Sequence, residues 1–303
     1  GSVSMDMIKP PGEKLSCSFE RIYFSRGSDM DIYQERKALG NLVVPRILQA
    51  IDADLDNSVF SFIPNTAEVS FYGMVKGLEE FHSERKIVEI GKLNGDEEAL
   101  RNLLNERVRI EKVAIKDAKL RTFITQDSDR NELVAHVYDI TYGTIRPGKD
   151  NLVMIDDSIV RGTTLKRSIL RILDRLEPKK IVVVSSAPQI RYPDCYGIDM
   201  SLLQDFCVFQ AAIALLKSSG KEAILKDIYE LCVSDQDNID QVNHVKKVYD
   251  SFTDDQLSKK VAEILRPEGL NADLEIIFQS IEELHEACPD HRGDWYFSGN
   301  YPT

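Results

Sequence analysis

An α/β fold on a parallel sheet is what these 303 residues predict, and two stretches carry that expectation. In the first, Leu152–Ile155 reads as an apolar strand and Leu165, Ile169, Leu173 and Leu176 recur at helical spacing. Ile181–Val184 then reads as a second apolar strand. A strand, a helix and a strand of that length make a β-α-β unit, whose strands run parallel with a right-handed crossover. In the second, Val59–Ile63 runs into Pro64-Asn-Thr-Ala-Glu68, and Phe71, Met74, Leu78 and Phe81 mark one face of a following helix.

The remaining elements follow in chain order. Residues 1–16 are polar, contain Pro10 and Pro11, and read as a lead-in. Residues 17–24 read as a strand, and 29–51 as a helix broken near Gly40. A second strand is expected near Ile87, a helix over 96–107, a strand over about 110–115, and a polar stretch to about 130. Residues 202–287 carry mostly helical spacing with few strand signals and read as a helical appendage. The aromatic tail Trp295–Tyr301 is expected to pack back on the body. No internal repeat or long low-complexity tract is present.

Bulk properties narrow the class. Hydrophobic content of 43% and charged content of 29% are globular values. A net charge of −12 opposes general nucleic-acid binding, which calls for a basic face. The five cysteines are scattered, without a Cys-x-x-Cys, which favours reduced thiols and a cytoplasmic setting. There is no run of 18 apolar residues and no secretory leader, so no membrane association is expected. Gly1-Ser2 ahead of Val3 resembles a tag-cleavage scar, so the natural chain is expected to extend upstream.

The chemistry concentrates in residues 152–164, Leu-Val-Met-Ile-Asp-Asp-Ser-Ile-Val-Arg-Gly-Thr-Thr. A strand delivers Asp156 and Asp157, a short loop with Gly162 follows, and a helix begins. Backbone N–H groups, hydroxyls and the helix dipole at such a junction suit a phosphate. Carboxylates do not hold phosphate, but they do hold sugar hydroxyls or a Mg²⁺ shared with the substrate. The motif therefore reads as a site for a phosphorylated ribose. It is not a Walker A loop.

Residues 156–164 resemble the phosphoribosyl pyrophosphate (PRPP) fingerprint of type I phosphoribosyltransferases. Four further blocks, 17–26, 32–40, 121–124 and 187–200, resemble the transferase half of the glutamine PRPP amidotransferases, in the same order. That resemblance implies a type I phosphoribosyltransferase fold: a core over 45–200, a lead-in and part of a hood over 1–44, and a helical region and tail over 201–303. It implies transfer of phosphoribosyl from PRPP to ammonia, giving 5-phosphoribosylamine and pyrophosphate, the first step of purine synthesis. In the family the ammonia comes from glutamine through a glutaminase domain with a Cys at its mature N-terminus. No such Cys stands here, so an excised or stand-alone transferase half is expected, without glutaminase activity. Homo-oligomers and inhibition by purine nucleotides are also implied.

Roles carry over residue by residue. Asp156 and Asp157 are the expected catalytic carboxylates, facing the ribose hydroxyls and Mg²⁺. Ser158, Arg161, Gly162, Thr163 and Thr164 are expected to hold the 5′-phosphate. Asn65, Thr66 and Ala67 occupy the pyrophosphate loop, with Thr66 a further Mg²⁺ contact. Residues 116–130 resemble the loop that covers PRPP, with Lys119 and Arg121 as pyrophosphate contacts. There Leu120 and Ala118 depart from the family pattern. Some members hold an iron–sulfur cluster on four cysteines. Cys17 and Cys195 match two of them, but 294–299 lacks the other two, so no cluster and two buried free thiols are expected. The five histidines show no metal-ligand spacing.

Two other readings remain at this stage. One is a PRPP-binding regulator without catalysis, which would need a DNA-binding element that the first 30 residues do not supply. The other is a transferase acting on a purine or pyrimidine base, which would share 152–164 but not the blocks at 17–40 and 187–200.

Overall fold

A computed structural model describes residues 4–5, 7–10, 15–93, 95–116, 138–194, 200–238 and 242–302. Its helices are α1 (Met30–Leu42), α2 (Val44–Ala50), α3 (Glu68–Ile90), α4 (Glu97–Asn105) and α5 (Leu170–Asp174, entered through a π-helical turn at Leu165–Ile169). They continue with α6 (Cys207–Ser218), α7 (Ala223–Ser234), α8 (Asp254–Leu265), α9 (Ile281–Ala287) and α10 (Trp295–Ser298). The strands are β1 (Ser58–Phe62), β2 (Arg109–Ile110), β3 (Ala114–Lys116), β4 (Tyr138–Ile140), β5 (Asn151–Asp156), β6 (Lys180–Ser185) and β7 (Asp273–Phe278).

Five strands form one parallel sheet in the order β2-β1-β5-β6-β7. β5 lies at its centre, paired with β1 from Ser58↔Asn151 to Phe62↔Ile155 and with β6 from Asn151↔Lys180 to Asp156↔Ser185. Both faces are covered, which is why β5 reads as an unbroken apolar run rather than an alternating one. Leu152 and Met154 enter one core with Val183, Leu170 and Leu173, and Val153 and Ile155 enter the other with Phe60, Phe71 and Met74. The β-α-β unit at 152–184 is present and parallel, as its spacing requires.

Several elements differ from the sequence reading. Residues 18–24 form a helical turn rather than a strand, because its buried side chains, Phe19 and Ile22, are three residues apart and share one helical face. The break in 29–51 falls at Val43, ahead of Pro45, not at Gly40. Gly40 lies inside α1 because a Cβ there would stand 1.7 Å from the Ser70 carbonyl oxygen of α3. Gly73 answers from α3, where a Cβ would meet the Lys37 carbonyl oxygen at 1.9 Å, so the two helices touch backbone to backbone. No strand starts at Ile87, since α3 continues through it to Ile90. The strand expected over 110–115 divides into β2 in the main sheet and β3 in a two-stranded antiparallel ribbon with β4.

The region read as a helical appendage with few strand signals also supplies β7, whose Ile276, Ile277 and Phe278 are buried beside β6. A third, smaller core joins Phe19, Ile22 and Leu39 to Ala187, Ile190, Leu284, Tyr296 and Phe297. The tail therefore packs back on the body, as its aromatic content requires. Among the described residues no helix is long and apolar enough to cross a membrane.

Candidate functional site

The site forms where β1, β5 and β6 end, the preferred ligand position of open parallel sheets. β5 delivers Asp156 as its last residue, and Asp157 follows, both half-buried. The Asp157 N–H donates to Asp156 Oδ1 at 2.9 Å, and the Ser158 hydroxyl donates to Asp157 Oδ1 at 2.9 Å. β6 braces the pair from the side: the Ser186 N–H donates to the Asp156 carbonyl at 2.9 Å and the Ser186 hydroxyl to the Asp157 carbonyl at 3.2 Å. Ser70, at the start of α3, donates in turn to the Ser186 hydroxyl at 3.4 Å.

Burial pushes Asp156 well above the usual carboxylate range, and the adjacent Asp157 charge adds to that. Burial raises Asp157 as well, while hydrogen bonds from Ser158 and Thr66 and the Arg36 charge oppose the rise. Two such carboxylates call for a cation or for hydroxyl donors. Among the described residues no group of three acidic, His or Cys side chains is arranged to hold a metal. The donor set fits Mg²⁺, which keeps several waters and binds through one or two carboxylates together with substrate oxygens. Thr66, within hydrogen-bonding reach of Asp157, would add its hydroxyl.

The loop after the pair turns through Gly162 at φ +67° into the helix. Gly162 also lies against Leu265, whose Cδ1 would stand 2.5 Å from a Cβ at that position. Thr163 and Thr164 are exposed at the helix start, which leaves their hydroxyls and the first helical N–H groups open to an anion. Val160 anchors the loop, its side chain in the third core and its carbonyl accepting from the Cys207 N–H at 2.9 Å. Arg161 is exposed, with Nε 3.8 Å from Asp205 Oδ2. After β1, Asn65 is exposed, Thr66 half-buried and Ala67 buried, and the Pro64–Asn65 peptide is cis.

The β3–β4 ribbon borders the pair: the Asp156 and Asp157 charges, after burial, help raise Tyr138, and Lys116 Nζ lies 6.0 Å from the Tyr138 ring centroid. Lys119 and Arg121, between those strands in sequence, lie outside the described residues, as does Cys195. Cys17 is a half-buried free thiol.

Arg36 is a site neighbour that the motif reading missed. It is 5% exposed, and its guanidinium donates to the carbonyls of Arg21 at 2.9 Å, Tyr23 at 3.4 Å and Ser25 at 2.8 Å. It ties the N-terminal segment to α1, and Asp157 is the anion that most favours its charge. The signal was present: Arg36 falls on the buried stripe of α1 with Ile32, Leu39 and Gly40. A cation on an apolar stripe is buried for a partner.

No family model matches the chain. Curated relatives do. The amidophosphoribosyltransferase of Pseudomonas aeruginosa is 31% identical over 191 residues, 61% of this chain and 32% of the relative. That of Pasteurella multocida is 52% identical over 50 residues, 16% of this chain and 10% of the relative. The glutamine PRPP amidotransferase of Bacillus subtilis, solved with ADP and GMP, shares the fold at a TM-score of 0.54 and 21% identity, over 95% of this chain and 47% of that one. A structure described as the allosteric regulatory enzyme of purine biosynthesis also gives 0.54, at 23% identity. The chain spans less than half the length of these proteins. With the five-stranded parallel sheet and the strand-end carboxylates in place, the chain is similar in sequence to part of the amidophosphoribosyltransferases and shares the fold of part of two PRPP amidotransferase-type structures.

Proposed function

We propose that the chain binds PRPP with Mg²⁺ at the ends of β1 and β5 and transfers its phosphoribosyl group to ammonia, releasing pyrophosphate. The observation that carries this reading is the half-buried Asp156–Asp157 pair, held beside a glycine turn and an open helix start. In this reading the two carboxylates accept hydrogen bonds from the ribose hydroxyls. The 158–164 loop holds the 5′-phosphate through backbone N–H groups and the Thr163 and Thr164 hydroxyls, with Arg161 and Ser158 beside it. Asn65, Thr66 and Ala67 lie toward the pyrophosphate, with Lys119 and Arg121 as further contacts. Bound Mg²⁺ would neutralise the departing pyrophosphate. The carboxylates favour the positive charge that develops at the sugar as the bond to pyrophosphate breaks.

The name of the B. subtilis relative, a glutamine PRPP amidotransferase, supports nitrogen as the acceptor atom. In the proposed reaction free ammonium replaces the glutamine-derived ammonia of a glutaminase domain. Purine nucleotides, which the B. subtilis relative holds, offer the same ribose-5-phosphate and would compete at this site. The reaction belongs to the cytoplasm and to purine synthesis, and the chain works as a homo-oligomer. The test is pyrophosphate release from PRPP and Mg²⁺ with ammonium, glutamine, purine bases or orotate as acceptor. Release with ammonium alone supports the proposal, and release with a base overturns it in favour of a base transferase. PRPP binding without turnover overturns the catalytic part and leaves a PRPP-binding regulator.

A further inference from the structure

The last turns of α3 and the α4 helix that follows lie at the far end of α3 from Ser70 and carry apolar surface that the described residues leave partly uncovered. α4 is strongly amphipathic: Ala99, Leu100, Leu103 and Leu104 share one face, and Asp96 caps it with hydrogen bonds to the N–H groups of Glu98 and Ala99. A stripe of that kind ordinarily faces a core, yet Ala99, Leu100 and Leu103 are only half-buried and Leu104 is exposed. Leu104 is 49% exposed, and on the last turns of α3 Ile87 and Val88 are 62% and 61% exposed. Scattered single apolar residues need no explanation, but a hairpin that concentrates them marks an interaction surface.

The charges on α4 select the occupant. Its N-terminal end is acidic, with Asp96, Glu97 and Glu98, reinforced by Glu89 although that residue pairs with Lys92. Its C-terminal end is basic. Arg107 is exposed there, Lys86 donates to the Glu106 carbonyl at 2.7 Å, and Arg85 lies between two acids, 3.5 Å from Asp56 and 3.7 Å from Glu106. Two such helices laid antiparallel place each acidic end on the other's basic end, and their dipoles also oppose. A two-fold axis does this with a single self-complementary patch. We infer that the α3–α4 hairpin is a self-docking surface, in which the α4 stripes of two copies pack antiparallel about a two-fold axis. This goes beyond the homo-oligomer of the proposed function by naming the surface and its geometry, and it does not depend on the PRPP reading.

The test is sedimentation equilibrium of the whole chain over about 1–100 µM, with far-UV circular dichroism to confirm folding. A monomer–dimer equilibrium is expected. Leu104→Glu, Glu97→Lys and Arg107→Glu should each raise the dissociation constant at least tenfold with an unchanged dichroism spectrum. The double variant Glu97→Lys/Arg107→Glu should recover most of the lost affinity, since the reversed charges again meet their opposites. Tyr229→Glu, at a 69% exposed position on α7, should leave the dimer intact. A monomer throughout overturns the inference. So does a dimer indifferent to Leu104→Glu and Glu97→Lys, which would place the interface elsewhere. Failure of the double variant to recover affinity overturns the antiparallel geometry. None of these readouts uses PRPP, so failure here is separable from failure of the proposed reaction.

Discussion

The two ends of β5 treat acidic side chains in opposite ways. At its foot Asp150 is wholly buried and saturated: Arg109 Nη1 lies 2.8 Å from Oδ2, Arg146 Nε donates to Oδ1 at 2.9 Å, and the Arg146 N–H donates to Oδ2 at 2.8 Å. Burial alone would raise this carboxyl, but the bonds from Arg146 and Arg109 outweigh it and hold Asp150 below the usual carboxylate range. At the head, six residues on, Asp156 and Asp157 stand side by side with hydroxyl and backbone donors but no ion pair of their own among the described residues, and both are raised. One end is built for stability. The other is left short of positive charge, which in the proposed function Mg²⁺ would supply. Unfavourable electrostatics concentrated at one rim of an otherwise satisfied sheet is the pattern expected of a functional site.

That contrast can be broken at either end. The largest effect is expected at the head: Asp156→Asn together with Asp157→Asn should lower pyrophosphate release by about 100- to 1,000-fold. A variant retaining a tenth of wild-type release would move the chemistry elsewhere. At the foot, Asp150→Asn should cost about 3 kcal/mol in urea unfolding, because two arginines lose their common anion.

The pH dependence has opposite signs at the two ends. Asp150, lowered in the folded state, contributes stability that is present above its unfolded value and lost as pH falls through its folded one. The advantage of wild type over Asp150→Asn should therefore shrink on acidification below about pH 4. Asp156, raised in the folded state, imposes a cost that is present above its folded value and relieved as pH falls through it. Asp156→Asn should stabilise the unliganded protein at neutral pH by about 1 kcal/mol, a gain that fades toward acid. Thermal unfolding at pH 7 and at pH 3 checks both signs. A loss of stability in Asp156→Asn at pH 7 would mean that the carboxylate is satisfied after all.

A third test lies between the ends. Gly40→Ala should cost about 2–3 kcal/mol, since its Cβ would meet the Ser70 carbonyl at 1.7 Å and force α1 away from α3. Because Ser70 leads through Ser186 to the Asp157 carbonyl, that variant should also weaken PRPP binding, which Asp150→Asn should not.

The legible part of this molecule was the part governed by local pattern. β5, its loop and the following helix announce themselves because a doubly covered strand is continuously apolar and a helix keeps its period. The expected residues Asp156, Asp157, Ser158 and Thr66 do meet at one strand end. What escaped was set by distant chain. β7 joins the sheet from nearly ninety residues beyond β6, inside a stretch of helical spacing, and nothing local ties Asp273–Phe278 to Lys180–Ser185. Residues 18–24 are rich in β-favouring aromatics but take a helical turn. The reason is long-range, because Phe19 and Ile22 enter a core built with Tyr296 and Phe297. Gly40 looked like a helix breaker, and only the backbone of α3 shows why a glycine is needed there.

The most direct test of the contrast is calorimetric titration of the chain with PRPP at neutral pH, with and without Mg²⁺, for wild type and for Asp156→Asn/Asp157→Asn. Saturable binding that needs Mg²⁺ and is lost in the double variant, while the variant's unfolding midpoint rises, is the predicted result. Binding that is equally tight in the double variant would contradict the assignment of the β5 carboxylates to the substrate.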